Sequence, residues 1–138
     1  MPLSTADRLD ILDVLARVNW AADEKDVEAT AAFYARDGSI TGSFTARAGD
    51  DFRADLEKIF VGEGTLKRHT LANPVVEGSG DRATVRWLLV VFEGETDARF
   101  VATARVVDEM RKEDGRWLVA RHEVTIDPSM RIDVGQNA

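Results

Sequence analysis

Cysteine is absent from the 138 residues, which excludes disulfides and thiolate metal sites and fits a reducing compartment without requiring one. Proline occurs three times, tyrosine once and histidine twice. No apolar run approaches the roughly 20 residues needed to span a bilayer. The opening Met1-Pro2-Leu3-Ser4-Thr5-Ala6-Asp7 lacks a basic region followed by an apolar stretch, so no secretion signal is read there and a cytoplasmic location is expected. Positive charge is in deficit: 18 basic residues against 25 acidic ones leave a net charge of −7. Such a chain repels phosphate backbones and anionic lipids, so neither nucleic acid nor membrane is expected as a partner. Linkers, internal repeats and low-complexity tracts are also missing, and the length fits one domain over residues 1–138.

What is present is ordinary globular material, 44% hydrophobic and 31% charged, enough for a core without staples. Ser4 is a good N-cap with Asp7 three residues on, and Leu9, Ile11, Leu12, Leu15, Ala16, Val18 and Ala22 recur with helical spacing. Asp26 can cap a second helix, expected to run from Val27 to about Ala35 and to end at Arg36-Asp37-Gly38. A short strand is expected around residues 39–44. Asp50 or Asp51 can cap a third helix through Phe52, Leu56, Ile59 and Phe60, closed by Val61-Gly62-Glu63-Gly64. From there the pattern reads as strands at about 66–77, 82–93, 99–111 and 117–126. A bulge or edge is expected at Asn73-Pro74, and an Asp114-Gly115 hairpin turn joins the last two strands. A polar tail follows from Asp127. Helices first and a four-strand antiparallel meander after them make an α+β fold, and a curved sheet backed by helices leaves room for a cavity.

Three motifs now stand in order. Ala21-Ala22-Asp23-Glu24-Lys25-Asp26 is followed by Phe33-Tyr34-Ala35-Arg36-Asp37-Gly38. Next come Arg68-His69-Thr70-Leu71-Ala72-Asn73-Pro74 and then Gly80-Asp81-Arg82-Ala83. The last is Asp108 to Arg121 around Asp114-Gly115-Arg116-Trp117. This succession resembles the SnoaL-like family of the nuclear transport factor 2-like superfamily, over about residues 5–126. The resemblance implies a cone-shaped α+β barrel, with three N-terminal helices on a curved antiparallel sheet around an apolar pocket, usually as a homodimer. Relatives include scytalone dehydratase, polyketide cyclases, ketosteroid isomerase and the small subunit of ring-hydroxylating dioxygenases, so fold leaves function open. It also implies a catalytic Asp–His dyad at the positions of Asp23 and His69. The chain departs from the dehydratases in having Val18-Asn19-Trp20 where they carry a Tyr, Glu93 or an apolar neighbour near a second His, and Val106 at a pocket Asn.

The residues themselves allow the same chemistry. Leu12, Ala16, Asn19 and Asp23 lie along one helix stripe, which carries Asp23 toward the pocket mouth. A carboxylate near a helix C-terminus opposes the macrodipole, a placement costly for stability and useful for a base; the alternative is a surface Asp in a turn. His69 shares a strand face with Leu71 and Asn73, either as a core histidine or as the partner of Asp23, which would fix its tautomer. Asp26 reads as a cap. Trp20, Asn73, Trp87 and Phe100 are candidate substrate contacts that can equally serve packing or a bulge. Arg121 and His122 alternate, so only one faces inward, where it could supply a donor for a developing oxyanion. No phosphate-binding glycine loop, nucleophile elbow or compact metal-ligand motif occurs, so neither cofactor nor metal is expected. The leading expectation is a cofactor-independent lyase or isomerase acting on a small, apolar, carbonyl-bearing ring compound. A non-catalytic binding protein of the same fold, or an oxygenase small subunit, are the alternatives.

Overall fold

Ser4 starts the first helix as its sequence suggests: its hydroxyl oxygen accepts a 3.0 Å hydrogen bond from the Asp7 backbone N–H. The computed structural model describes residues 1–64 and 66–128. The expected polar tail therefore lies, from residue 129 onward, outside the described residues. Helix α1 spans Thr5–Asp23 and buries Ile11, Leu15, Val18 and Ala21. The core stripe is thus one residue off the expected one: Leu12 is half-buried and Ala16 is exposed. Asp23, the last residue of α1, sits at the flank of that stripe.

Asp26 caps α2, Val27–Ala31, by accepting from the Ala29 N–H at 3.0 Å. This helix stops four residues before the expected Ala35. The cause is tertiary. The Phe33 carbonyl accepts from the Val119 N–H at 2.8 Å, and Tyr34 enters strand β1, Tyr34–Gly42. A 3-10 turn at Gly49–Asp51 leads into α3, Phe52–Glu63. Asp51 precedes α3 without a side-chain capping bond and instead pairs with Arg47.

Four further strands follow: β2 Lys67–Ser79, β3 Arg82–Glu93, β4 Arg99–Glu113 and β5 Arg116–Ile126. They form the expected antiparallel meander, and β1 adds a fifth strand parallel to β5, giving the order β1-β5-β4-β3-β2. The sheet is curved and unclosed. Gly42, at φ +97°, makes the β1–β5 approach possible: a Cβ there would stand 2.1 Å from the Val124 carbonyl oxygen. The Asp114-Gly115 turn has both residues at positive φ, as a tight hairpin of matching twist requires.

Bulges interrupt the register of every strand pair, and two of them bear on the site. One interrupts the β2–β3 register between Ala72 and Val75, with Asn73 at φ 53°. The other leaves Ala120 unpaired between Val119 and Arg121 on β5. The helices cover one face of the sheet. Ile11, Leu15, Leu56 and Phe60 meet Val85, Trp87, Val106, Met110, Val119 and Val124 in one core, each such side chain stabilising the fold by about 1.5–3 kcal/mol. No helix among the described residues is long and apolar enough to cross a membrane.

Candidate active site

Between the helices and the sheet lies a cavity of about 80 Å³, with walls that include Val18, Leu56, Phe60, Leu89 and Val124. Its polar groups are few. Asn19 comes from α1, Thr30 from α2, Tyr34 from β1, Glu63 from the end of α3, His69 from β2, and His122 from β5. Few polar groups in an apolar cavity suit a small, largely apolar ligand held in one orientation.

The end of α1 meets the start of β2 here. Asp23 Oδ1 lies 2.6 Å from Nδ1 of His69, and the same carboxylate accepts the His69 backbone N–H at 3.1 Å. The backbone bond sets the carboxylate and the side-chain bond sets the ring. A carboxylate oxygen accepts, so the ring donates from Nδ1 and Nε2 is its nitrogen for chemistry. Both side chains are largely buried. On the Nε2 side stands Glu63, whose Oε2 is 3.9 Å away. Burial pushes the Glu63 carboxyl up from its ordinary value, against the opposing pull of His69, Lys25 and Lys67. Glu63 Oε2 and Asn19 Nδ2 are buried with no hydrogen-bond partner among the described residues. Unpartnered buried polar atoms on a cavity wall are places where a ligand would bond.

A second imidazole faces the cavity from the sheet. Nδ1 of His122 lies 2.5 Å from Oδ1 of Asp108, and Trp87 Nε1 donates to Oδ2 of the same acid at 2.6 Å. Burial and the Asp108 charge push the Tyr34 phenol well above its ordinary value, so it is a neutral donor at working pH. Among the described residues no three His, Cys, Asp or Glu side chains converge as a metal-binding set would.

Of the residues singled out from sequence, Asp23 and His69 meet, and Trp87 and His122 line the cavity. Trp20 is 72% exposed and lies on an open groove of about 460 Å³ that backs the Asp23–His69 pair from outside. It stands on the face of α1 opposite Ile11, Leu15 and Val18, which is why it faces out. Asn73 is exposed at the β2 bulge, where its left-handed backbone rather than a ligand accounts for it. Phe100 is half-exposed near the outer end of β4 and packs edge-on against Phe92 at 6.3 Å. Arg121 points out and pairs with Glu109 at 3.1 Å. Simple alternation grouped Arg121 with Trp117 and Val119, but the Ala120 bulge shifts the parity and turns His122 inward instead.

Sequence reasoning passed over Glu63 and Asp108. The signal for each was an acid on an apolar row. Glu63 continues the Leu56–Phe60 stripe of α3, and Asp108 interrupts the inward row Ala104, Val106, Met110 of β4.

Helices on one side of a curved, unclosed sheet, with acid–imidazole pairs at an apolar cavity between the layers, place the protein among the NTF2-like, cystatin-like α+β proteins. The chain belongs to the SnoaL-like domain family, whose model matches residues 4–123. A protein of unknown function with a cystatin-like fold from Nostoc punctiforme PCC 73102 is 29% identical, with a TM-score of 0.82, over 96% of this chain and 99% of that one. A Novosphingobium aromaticivorans protein provisionally named a scytalone dehydratase is 19% identical, at a TM-score of 0.74 over 88% and 85% of the two chains. A Streptomyces avermitilis protein of the NTF2-like family, provisionally named a dehydratase, is 12% identical, at 0.77 over 89% and 97%. At these last two identities the likeness is one of fold. No curated protein matches the sequence.

Proposed function

We propose that the protein is a cofactor-independent enzyme of the dehydratase or isomerase type, in which His69, held by Asp23, removes a proton next to a carbonyl. Its substrate is a small, largely apolar, carbonyl-bearing ring compound. The observation that carries the reading is His69 on the wall of a largely apolar cavity, with the Asp23 carboxylate 2.6 Å from its ring. Asp23 fixes the tautomer and balances the imidazolium that forms. The neutral Tyr34 phenol and the Asn19 amide are the donors available to a developing enolate oxygen. Elimination of water, double-bond migration or aldol closure can each follow from that enolate. Membership of the SnoaL-like family, with dehydratases named among its structural neighbours, supports the same type of chemistry. The reading includes a cytoplasmic location, supported by the lack of cysteine, and a homodimer, supported by apolar side chains on the outer sheet face.

Exchange of the α-protons of small cyclic ketones in deuterated water, followed by proton NMR, tests the reading. Asp23→Asn and His69→Ala should each slow exchange by about 10²–10⁴-fold while thermal unfolding stays cooperative. Wild-type exchange rates in both folded variants would sink the assignment.

A further inference from the structure

His122 has no task in that reading, yet its surroundings are built around it. Nδ1 is engaged by Asp108 at 2.5 Å, so Nε2 is the nitrogen His122 has for a ligand in the cavity it shares with His69. Asp108 is wholly buried on a row of apolar residues. Its two oxygens are occupied by His122 and by the Trp87 indole N–H. Burying a carboxylate in such a row is costly, and an apolar side chain would fill the place more cheaply. What the acid does there is hold one imidazole in one tautomer and one orientation. The Ala120 bulge is an independent observation, because it is what turns His122 rather than Arg121 into the cavity. Two imidazoles on different strands, each oriented through Nδ1 by its own carboxylate, therefore line one small space.

We propose that His122 is a second catalytic residue, with Asp108 positioning it, which protonates a leaving hydroxyl while His69 takes a proton from carbon. This rests on the proton-abstraction reading above and commits it to elimination from a β-hydroxy ketone. His69 Nε2 takes the proton on the carbon between the carbonyl and the hydroxyl-bearing carbon. The C–H electron pair becomes the new C=C bond. The C–O bond breaks with its pair on oxygen, and the Nε2–H of a His122 imidazolium supplies the proton that completes water. His69 gains one proton and His122 loses one, so the protein's charge is unchanged, and exchange with solvent resets both rings.

Two probes separate this step from the one beneath it. Deuterium exchange into cyclohexanone reports proton abstraction alone. Conversion of 3-hydroxycyclohexanone to 2-cyclohexenone, read by the enone absorbance, needs both halves. His122→Gln should lower the elimination kcat about 100-fold or more and exchange at most about tenfold, with little change in KM. Asp108→Asn should lower elimination in the same unequal way, and His69→Ala should remove both activities. Melting curves establish that each variant is folded, and His122→Gln stands alone if Asp108→Asn is not. Equal loss of both activities in folded His122→Gln, or elimination unchanged, overturns the proposal. A wild type that exchanges but does not eliminate overturns it while leaving the underlying reading intact. A wild type that exchanges nothing removes both.

Discussion

Glu63 is the residue whose surroundings argue most openly against its own stability. It sits at the end of α3 with Oε2 buried and unpartnered, and burial raises its carboxyl above the ordinary value. At low pH the folded and unfolded chains both carry its proton. As pH rises past the ordinary carboxylate value, the unfolded chain releases that proton while the folded chain retains it, so stability falls across this window. Above the folded value the loss is complete and constant. Glu63→Gln should therefore raise the melting temperature at pH 7 by roughly 1–4 °C and change it little at pH 4, while slowing ketone exchange. A variant that melts lower at pH 7 than at pH 4, relative to wild type, would show that the carboxylate is stabilising and not strained. Asp7 has the opposite sense. Trp117 Nε1, Lys112 and Ser4 bond its carboxylate and hold it down at about 2, so its contribution is full above the ordinary carboxylate range and fades as pH falls toward that value.

At the scale of elements, the chain's own pattern specifies most of what positions the site. Ser4 and Asp26 are caps because their oxygens reach N–H groups three residues on, a local property that reads directly from sequence. The boundaries of β3 and the Asp114-Gly115 hairpin are equally local. The misread parts depend on partners distant in the chain. Strand β1 begins at Tyr34 because β5 pairs with it, and nothing within residues 27–35 says so. The inward face of β5 changes parity at a bulge that no residue type announces, so Arg121 and His122 could not be separated by alternation. Asp23 and His69 were legible as a pair through family resemblance, whereas Asp108 required knowing which face of β4 turns inward. The β1–β5 junction has a direct test. Gly42→Ala places a side chain at φ +97° and drives its Cβ into the Val124 carbonyl. It should cost about 1–3 kcal/mol from backbone strain alone, measured by urea denaturation. An unchanged midpoint would mean that β1 does not dock as described.

The whole molecule exposes one side of its sheet. Leu88, Phe92, Phe100 and Val75 are each exposed by roughly two-fifths on the face away from the helices or at its edges, an apolar group on a chain of net charge −7. A second copy packed there would cover it, so sedimentation should find a dimer that Phe92→Glu converts to a monomer; a wild-type monomer at micromolar concentration counts against it. Behind that face the architecture brings the end of α1, the end of α3 and strands β2 and β5 around one cavity, and the central claim is that His69 moves protons there. Chemical rescue measures this most directly. Truncating His69 to Ala opens a place beside Asp23 for a free imidazole. Ketone exchange by His69→Ala should rise in proportion to added imidazole, well beyond the rate imidazole gives alone, and should not be rescued when Asp23→Asn is also present. No gain over imidazole in solution, with the variant folded, would contradict the account.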